Sequence, residues 1–233
     1  MYLGITMNHQ KSDLKIDWCT HEAAKYACLN WHYSKCIPPS KLVKVGVWED
    51  DKFIGCILYG VGATDKLVNP YGLKKEQGCE LVRIALKTHK TPVSRIMAIA
   101  VKFLKQHCPH LKIIVSFADP SQGHHGGIYQ ANNWLYSGRS PSCKFPIIKG
   151  KVTHPKTLSH MVKAGKIKRF DVEYVLKEGK HRYLMPLNNE MRDTIKHLAK
   201  PYPKRVTKAN SGDQLESGGA IPTNTLQSSD LSK

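Results

Sequence analysis

Apolar residues recur at helical spacing in two stretches of the chain and at strand spacing in several others. In "THEAAKYACLNWHYSK" the residues Ala24, Ala27, Cys28 and Trp31 fall on one face at three-to-four spacing, Thr20 is a capping residue, and Pro38 and Pro39 cannot continue a helix. A helix is expected to end near His32, leaving "WHYSK" at its exit. The runs "KLVKVGVWED" and "KFIGCILYGVGA", separated by acidic residues, read as an antiparallel hairpin. After a loop rich in Asn, Pro and Gly, "CELVRIALK" (79–87) has the continuous apolar character of a buried strand. Ser94 then opens "SRIMAIAVKFLKQHCP", whose Ile96, Ile99, Ala100, Phe103 and Leu104 share one helical face, with Pro109 closing it. "LKIIVSFA" is a short apolar strand, so 79–118 is a strand–helix–strand unit, whose crossover calls for a parallel pair or a shared central sheet. "IYQANNW" follows as a short helix and "LYSGRS" as a strand.

The ends carry less pattern. Residues 1–15 read as a loose lead-in to one domain spanning 16–206. Beyond 141 the chain is weakly periodic, with "SHMVKAGK" a helical turn or two and "HRYLMPL" the last strand. Residues 207–233 hold no aromatic residue and much Ser, Gly, Asn and Gln, so they are expected to be a disordered tail.

Charge sharpens this division. The 233-residue chain carries a formal net charge of +18. Residues 141–206 concentrate it, with 16 Lys and Arg against 5 acids, whereas 1–140 hold 18 against 10. An excess of that size implies a polyanionic partner, because neutralising phosphates releases condensed counterions. Phe145, His154, Phe170 and Tyr174 are interleaved with the lysines, as a surface gripping a nucleic-acid backbone would have them; a solvated basic face is the plainer alternative. No amphipathic, lipidation or transmembrane signal points to a membrane, and the N-terminus lacks the features of a signal peptide, so a cytoplasmic protein is expected. Seven cysteines, widely spaced and without a C-x-x-C pair, argue for reduced thiols rather than a disulfide or zinc framework.

The chemistry concentrates in "SFADPSQGHHGGIYQANNW" (116–134). An apolar strand that needed only a turn would not require an acid, three glycines, two adjacent histidines and a tyrosine. Asp119 is either an Asp-Pro turn residue or a group that accepts a proton or holds an amine. His124 and His125 raise a metal, since with Asp119, or with His32 replacing one of them, they make the two-histidine, one-carboxylate set of non-haem iron. Adjacent histidines in extended chain point to opposite sides, so a loop whose histidines contact phosphate or cap the next helix is the competing reading. Upstream, Ser94 and Arg95 at a helix start, with Arg83 on the preceding strand and Lys87 and Lys90 between, could hold an anion; Ser94 could equally be an N-cap.

The order hairpin, strand, helix, strand, helix resembles the acyl-CoA N-acetyltransferase (GNAT) fold, an α/β architecture in which a mixed sheet is flanked by helices. The usual glycine-rich pyrophosphate loop is missing, with no glycine between Gly78 and Gly123. Taken with "HYSK", "CELVRIAL", the "SR" helix start and the "SFAD...GH.GGIYQA.NW" block, the chain resembles the Mom family of phage and prophage DNA-modification proteins over about residues 30–187. The resemblance implies a GNAT-like fold and conversion of adenine in duplex DNA to N6-carbamoylmethyladenine, which shields phage DNA from host restriction. It implies functional roles for His32, Tyr33, Arg83, Ser94, Asp119 and Tyr129. An acetyl-CoA-type donor and iron are both suggested for the family. Tyr129 and His32 would donate a proton, orient the donor or stack on a base; a core tyrosine and a histidine at a helix C-terminus are the structural alternatives. Duplex adenine would have to be flipped out. Two rival functions are an acyl-CoA N-acyltransferase acting on another amine and a non-catalytic DNA-binding protein on a GNAT scaffold. The oligomeric state, a homodimer included, is left open.

Overall fold

The computed structural model describes residues 13–62, 66–168 and 171–204. The expected disordered tail and most of the expected lead-in lie outside the described residues.

A seven-stranded mixed sheet organises the chain, in the order β1-β2-β3-β4-β5-β10-β6. Its members are β1 (Leu14–Trp18), β2 (Leu42–Glu49), β3 (Lys52–Gly60), β4 (Gly78–Leu86), β5 (Ile113–Ala118), β6 (Leu135–Arg139) and β10 (His181–Pro186). Every neighbouring pair is antiparallel except β4 with β5. This is the mixed sheet with flanking helices that the order of elements predicts. β1 corrects the lead-in boundary: Leu14 to Trp18 pair with Glu49 to Val45, and Leu14 and Ile16 pack on the core.

The hairpin turns through Asp50 and Asp51, both with positive φ (50° and 59°), as a two-residue turn matched to right-handed strand twist requires. Alternation along β3 then decides what each face meets. Ile57 and Tyr59 join the cluster under α2 (Val93–His107), with Ile96, Met97, Ala100 and Leu104. Cys56 and Leu58 face α1 (His21–Trp31), whose contact residues are Ala24, Ala27 and Cys28, all at 0% exposure. Their small size lets the helix axis lie close to the sheet. Enlarging one would overpack this seam, at about 1–3 kcal/mol. Further along, α5 (Asn189–Ile195) covers Ile113, Val115 and Leu184 with Met191 and Ile195.

α1 follows the expected pattern, capped by Thr20, whose side chain accepts from Ala23 N, and closed at His32. α2 does not begin on Ser94. Its N-cap is Pro92, no side chain caps it, and Ser94 lies inside the first turn, so the N-cap alternative for Ser94 falls.

Between β6 and β10 the chain makes an excursion that sequence periodicity reduced to a turn or two of helix. It forms a second sheet of β7 (Cys143–Ile148), β8 (Lys151–Val152) and β9 (Glu173–Lys177), in the order β8-β7-β9, together with the nine-residue α4 (Pro155–Lys163). Lys144, Lys149, Lys151, Lys156, Lys163, Lys166, Lys168, Lys177 and Lys180 are all exposed. Phe145 packs inward under the Lys177 ammonium, 5.0 Å from its ring centre, and edge-on to His154. Tyr174 is exposed, and Phe170 lies outside the described residues. No described helix is long and apolar enough to cross a membrane.

Candidate active site at the fork of β4 and β5

β4 and β5 pair only from Gly78–Leu81 to Ile113–Ser116. Beyond that β4 stays with β3, and β5 stays with β10, so the two strands part. At the crotch, Ser116 Oγ lies 3.0 Å from the Leu81 carbonyl and 2.8 Å from the Tyr129 hydroxyl. Tyr129 is delivered there by α3 (Gly127–Gln130) and is stacked on Tyr183 with centroids 4.9 Å apart. The approach demands glycine at 126, where φ is +87° and a Cβ would come within 2.3 Å of the Tyr183 ring. Burial pushes the Tyr129 phenol up to about 12, with the Ser116 hydroxyl offsetting part of that rise, so it is neutral at physiological pH and can donate.

The mouth of the fork is built from the exit of α1. His32 is 8% exposed; its Nδ1 accepts the Ser34 backbone N–H at 3.1 Å and lies 2.7 Å from Ser34 Oγ. The ring nitrogen facing Ser34 is therefore the acceptor, and a neutral ring carries its proton on Nε2. Burial, then the charges of Arg83, His124 and Lys35, hold His32 down to about 4. Tyr33 stacks on His32 at 4.2 Å and meets His124 edge-on at 5.5 Å. Arg83 turns toward the α1 side next to a register shift between β3 and β4; its Nη1 donates to the Val82 carbonyl, and its buried Nε has no partner. His32, Tyr33, Arg83 and His124 thus gather at one mouth, with Tyr129 below. Neutral N–H and O–H donors beside a guanidinium suit a reaction that develops negative charge.

Ser94 and Arg95 occupy the first turn of α2. Arg95 N and Ile96 N both reach the Pro92 carbonyl, while the Val93 and Ser94 N–H groups have no carbonyl within the helix to reach. The loop before them is pinned by Glu49, which the sequence presents only as part of an acidic turn. Its buried carboxylate accepts from Lys90 N (2.8 Å), Thr91 N (2.7 Å) and Thr91 Oγ1 (2.6 Å). An ordered carboxylate clamp therefore holds the loop that the expected glycines would otherwise shape. The N–H groups, Ser94 and Arg95 form an arrangement that can hold an anion, whereas the Lys87 ammonium lies over the Trp31 ring, 5.6 Å from its centre.

Asp119 stands apart from the His32 group. Its Oδ1 accepts from Ser121 N (3.0 Å) and Ser121 Oγ (2.7 Å), and its Oδ2 lies 3.0 Å from Lys180 Nζ. Burial works to raise its pKa, but the bonds from Ser121 and the charge and bond of Lys180 outweigh that and lower it. It is both a turn residue and an accessible carboxylate, with 22% of its side chain exposed. Its backbone carbonyl accepts from His124 N. Ser116, Lys180 and Glu49 were missed by sequence reasoning. Ser116 alone had a signal, as the single polar residue in "IIVSFA".

The iron set does not assemble. His124 turns to Tyr33, His125 lies with Nε2 against Gly127, and Asp119 is occupied by Ser121 and Lys180. Among the described residues no three His, Cys, Asp or Glu side chains are placed to hold a metal ion.

Methylcarbamoylase mom of Escherichia phage Mu is 24% identical over 215 residues, which cover 87% of this chain and 89% of that protein. Among solved structures, FeeM, an N-acyl amino acid synthase from uncultured soil microbes, superposes with a TM-score of 0.44 at 10% identity, covering 81% of this chain and 98% of that one. Aminoglycoside acetyltransferase AAC(6')-Ib in complex with coenzyme A and kanamycin gives 0.43 at 11% identity, over 79% and 98%. The profile of the Mom protein family matches residues 13–204, and the chain belongs to that family.

Proposed function

We propose that this protein is a DNA-modifying transferase that converts adenine in duplex DNA to N6-carbamoylmethyladenine, protecting the DNA that carries it from restriction. Membership of the Mom family and similarity to a protein named methylcarbamoylase support the transferred group. The observation that carries the reading is the gathering of His32, Tyr33, Arg83 and His124 at the fork mouth, in a chain that also presents a lysine-covered second sheet. A protein that only gripped phosphates would need the lysines but not the buried His32 and Tyr129.

The exocyclic amine of adenine is a weak nucleophile, its lone pair delocalised into the ring, so positioning and proton acceptance matter. Asp119, ionised at neutral pH, accepts a hydrogen from N6. His32 Nε2–H, the Tyr129 hydroxyl and Arg83 face the charge that develops on the donor. Val93 and Ser94 N–H, Ser94 and Arg95 would hold the phosphates of a coenzyme A-type donor; transfer forms a bond from N6 to the methylene carbon of the carbamoylmethyl group as that carbon's bond to its leaving group breaks, the leaving group departing with the electron pair and the N6 proton passing to Asp119. Exposed lysines of the second sheet bind the backbone, giving an affinity that falls steeply with salt.

Plasmid DNA from cells expressing the protein, challenged with endonucleases whose sites contain adenine, tests this reading. Resistance at those sites, absent from a His32→Ala culture, is expected. Digestion indistinguishable from plasmid of cells lacking the protein overturns it.

A further inference from the structure

Where the second sheet joins the main one, Asp119, Ser140, Phe145, Lys180, Pro120 and Pro141 line a cleft of about 490 Å3. Lys180 ties its walls together. Its ammonium meets Asp119 Oδ2 at 3.0 Å, and its backbone N–H donates to Ser140 Oγ at 2.9 Å. We propose that this cleft receives the flipped adenine, an assignment that rests on the adenine reading above and names the subsite for it.

The hydrogen-bonding capacity of the walls matches one base edge. A carboxylate offers about four acceptor positions. Ser121 N, Ser121 Oγ and Lys180 Nζ use three, which leaves one on Oδ2 for an amine hydrogen. Ser140 Oγ accepts from Lys180 N, and its own O–H is available to donate. The cleft thus offers one acceptor and one donor, each held by one end of Lys180, and adenine carries the complement, an N6 donor and a ring-nitrogen acceptor. Guanine presents an O6 acceptor where adenine has its amine, and faces the Asp119 carboxylate with repulsion. The flat walls are the Phe145 ring and the two prolines, an apolar lining of the kind on which an extruded base stacks. The Asp119 backbone also holds His124, which touches Tyr33 and so connects the cleft to the fork mouth.

The test uses the full chain and duplexes carrying one unpaired base opposite an abasic site, so that extrusion is already accomplished. Wild-type protein is expected to bind the unpaired-adenine duplex at least tenfold more tightly than the guanine counterpart or the fully paired duplex. Phe145→Leu and Ser140→Ala should each remove most of that preference, while paired-duplex affinity and its salt slope stay within twofold of wild type. Phe145→Trp should retain the preference. Melting curves for each variant establish folding, and Ser140→Ala, which removes one hydroxyl at a half-buried position, keeps the test valid if the Phe145 variants unfold. If wild type prefers unpaired adenine and the folded variants keep that preference, the cleft is not the base site and the adenine reading stands. If wild type shows no preference for unpaired adenine, the cleft assignment and the adenine reading fail together.

Discussion

The carboxylate of Asp119 and the ammonium of Lys180 lie 3.0 Å apart and join the tip of β5 to the residue before β10. Together with the bonds from Ser121, this pair holds down the pKa of the carboxylate proposed to meet the substrate amine. Lys180→Met should let the Asp119 pKa rise toward the ordinary carboxylate range. The native pKa is lowered, so the ionised form is present above the ordinary value and is lost only as pH falls through the folded one. The acid limb of the activity profile should therefore move to higher pH in the variant. Both side chains are part-exposed, so the stability loss should be small, about 0.5 kcal/mol. An unmoved acid limb counts against the pairing as the control on Asp119.

His32 gives a second pH signature, of the same sign in stability but in a higher window. Its folded pKa, about 4, lies below that of the unfolded chain. As pH falls from the ordinary histidine range toward 4, the unfolded state takes up the proton first, so stability declines through that window and levels off below it. Denaturant unfolding across that range should show the decline in wild type and a weaker one in His32→Gln. In NMR titrations one histidine should still be neutral at pH 5.

Glu49 positions the loop before α2 and touches no substrate. Glu49→Ala leaves the Lys90 and Thr91 amides without their acceptor and should cost about 3 kcal/mol, seen in urea unfolding. Glu49→Gln keeps one acceptor and should lose less than half of that. The same variant should weaken donor binding more than turnover at saturation, a split that loss of folded protein alone would not produce.

Tyr129→Phe removes a buried hydroxyl while Ser116 keeps its bond to the Leu81 carbonyl. The stability cost should be about 1 kcal/mol. If the phenol donates a proton or a hydrogen bond to the reacting group, turnover should fall by roughly a hundredfold. A variant of full activity would return Tyr129 to the role of a core residue.

Much of the main sheet was legible in the sequence because each element has one face on the core. Thr20 and the spacing of Ala24, Ala27 and Cys28 announce α1, and the apolar runs of β4 and β5 announce a buried pair. β7 and β9 were hidden for the opposite reason. The residues of β9 are mostly exposed, so no polar and apolar alternation marks it. β1 did carry alternation in Leu14, Ile16 and Trp18, but five residues at an unpatterned end gave it no context. At the site, His32, Tyr33, Arg83 and Tyr129 came from family motifs and fell near one another. The pairs that order the rest of the site, Glu49 with Thr91 and Lys180 with Asp119, are distant in sequence and are made only by folding.

Nucleoside mass spectrometry of DNA from cells expressing the wild-type protein tests the central claim most directly. A fraction of the deoxyadenosine should be replaced by a nucleoside heavier by one carbamoylmethyl group, and that product should vanish in Asp119→Ala and His32→Ala cultures with the protein still folded. Unmodified deoxyadenosine throughout, with folded wild-type protein abundant in the same cells, would contradict the account.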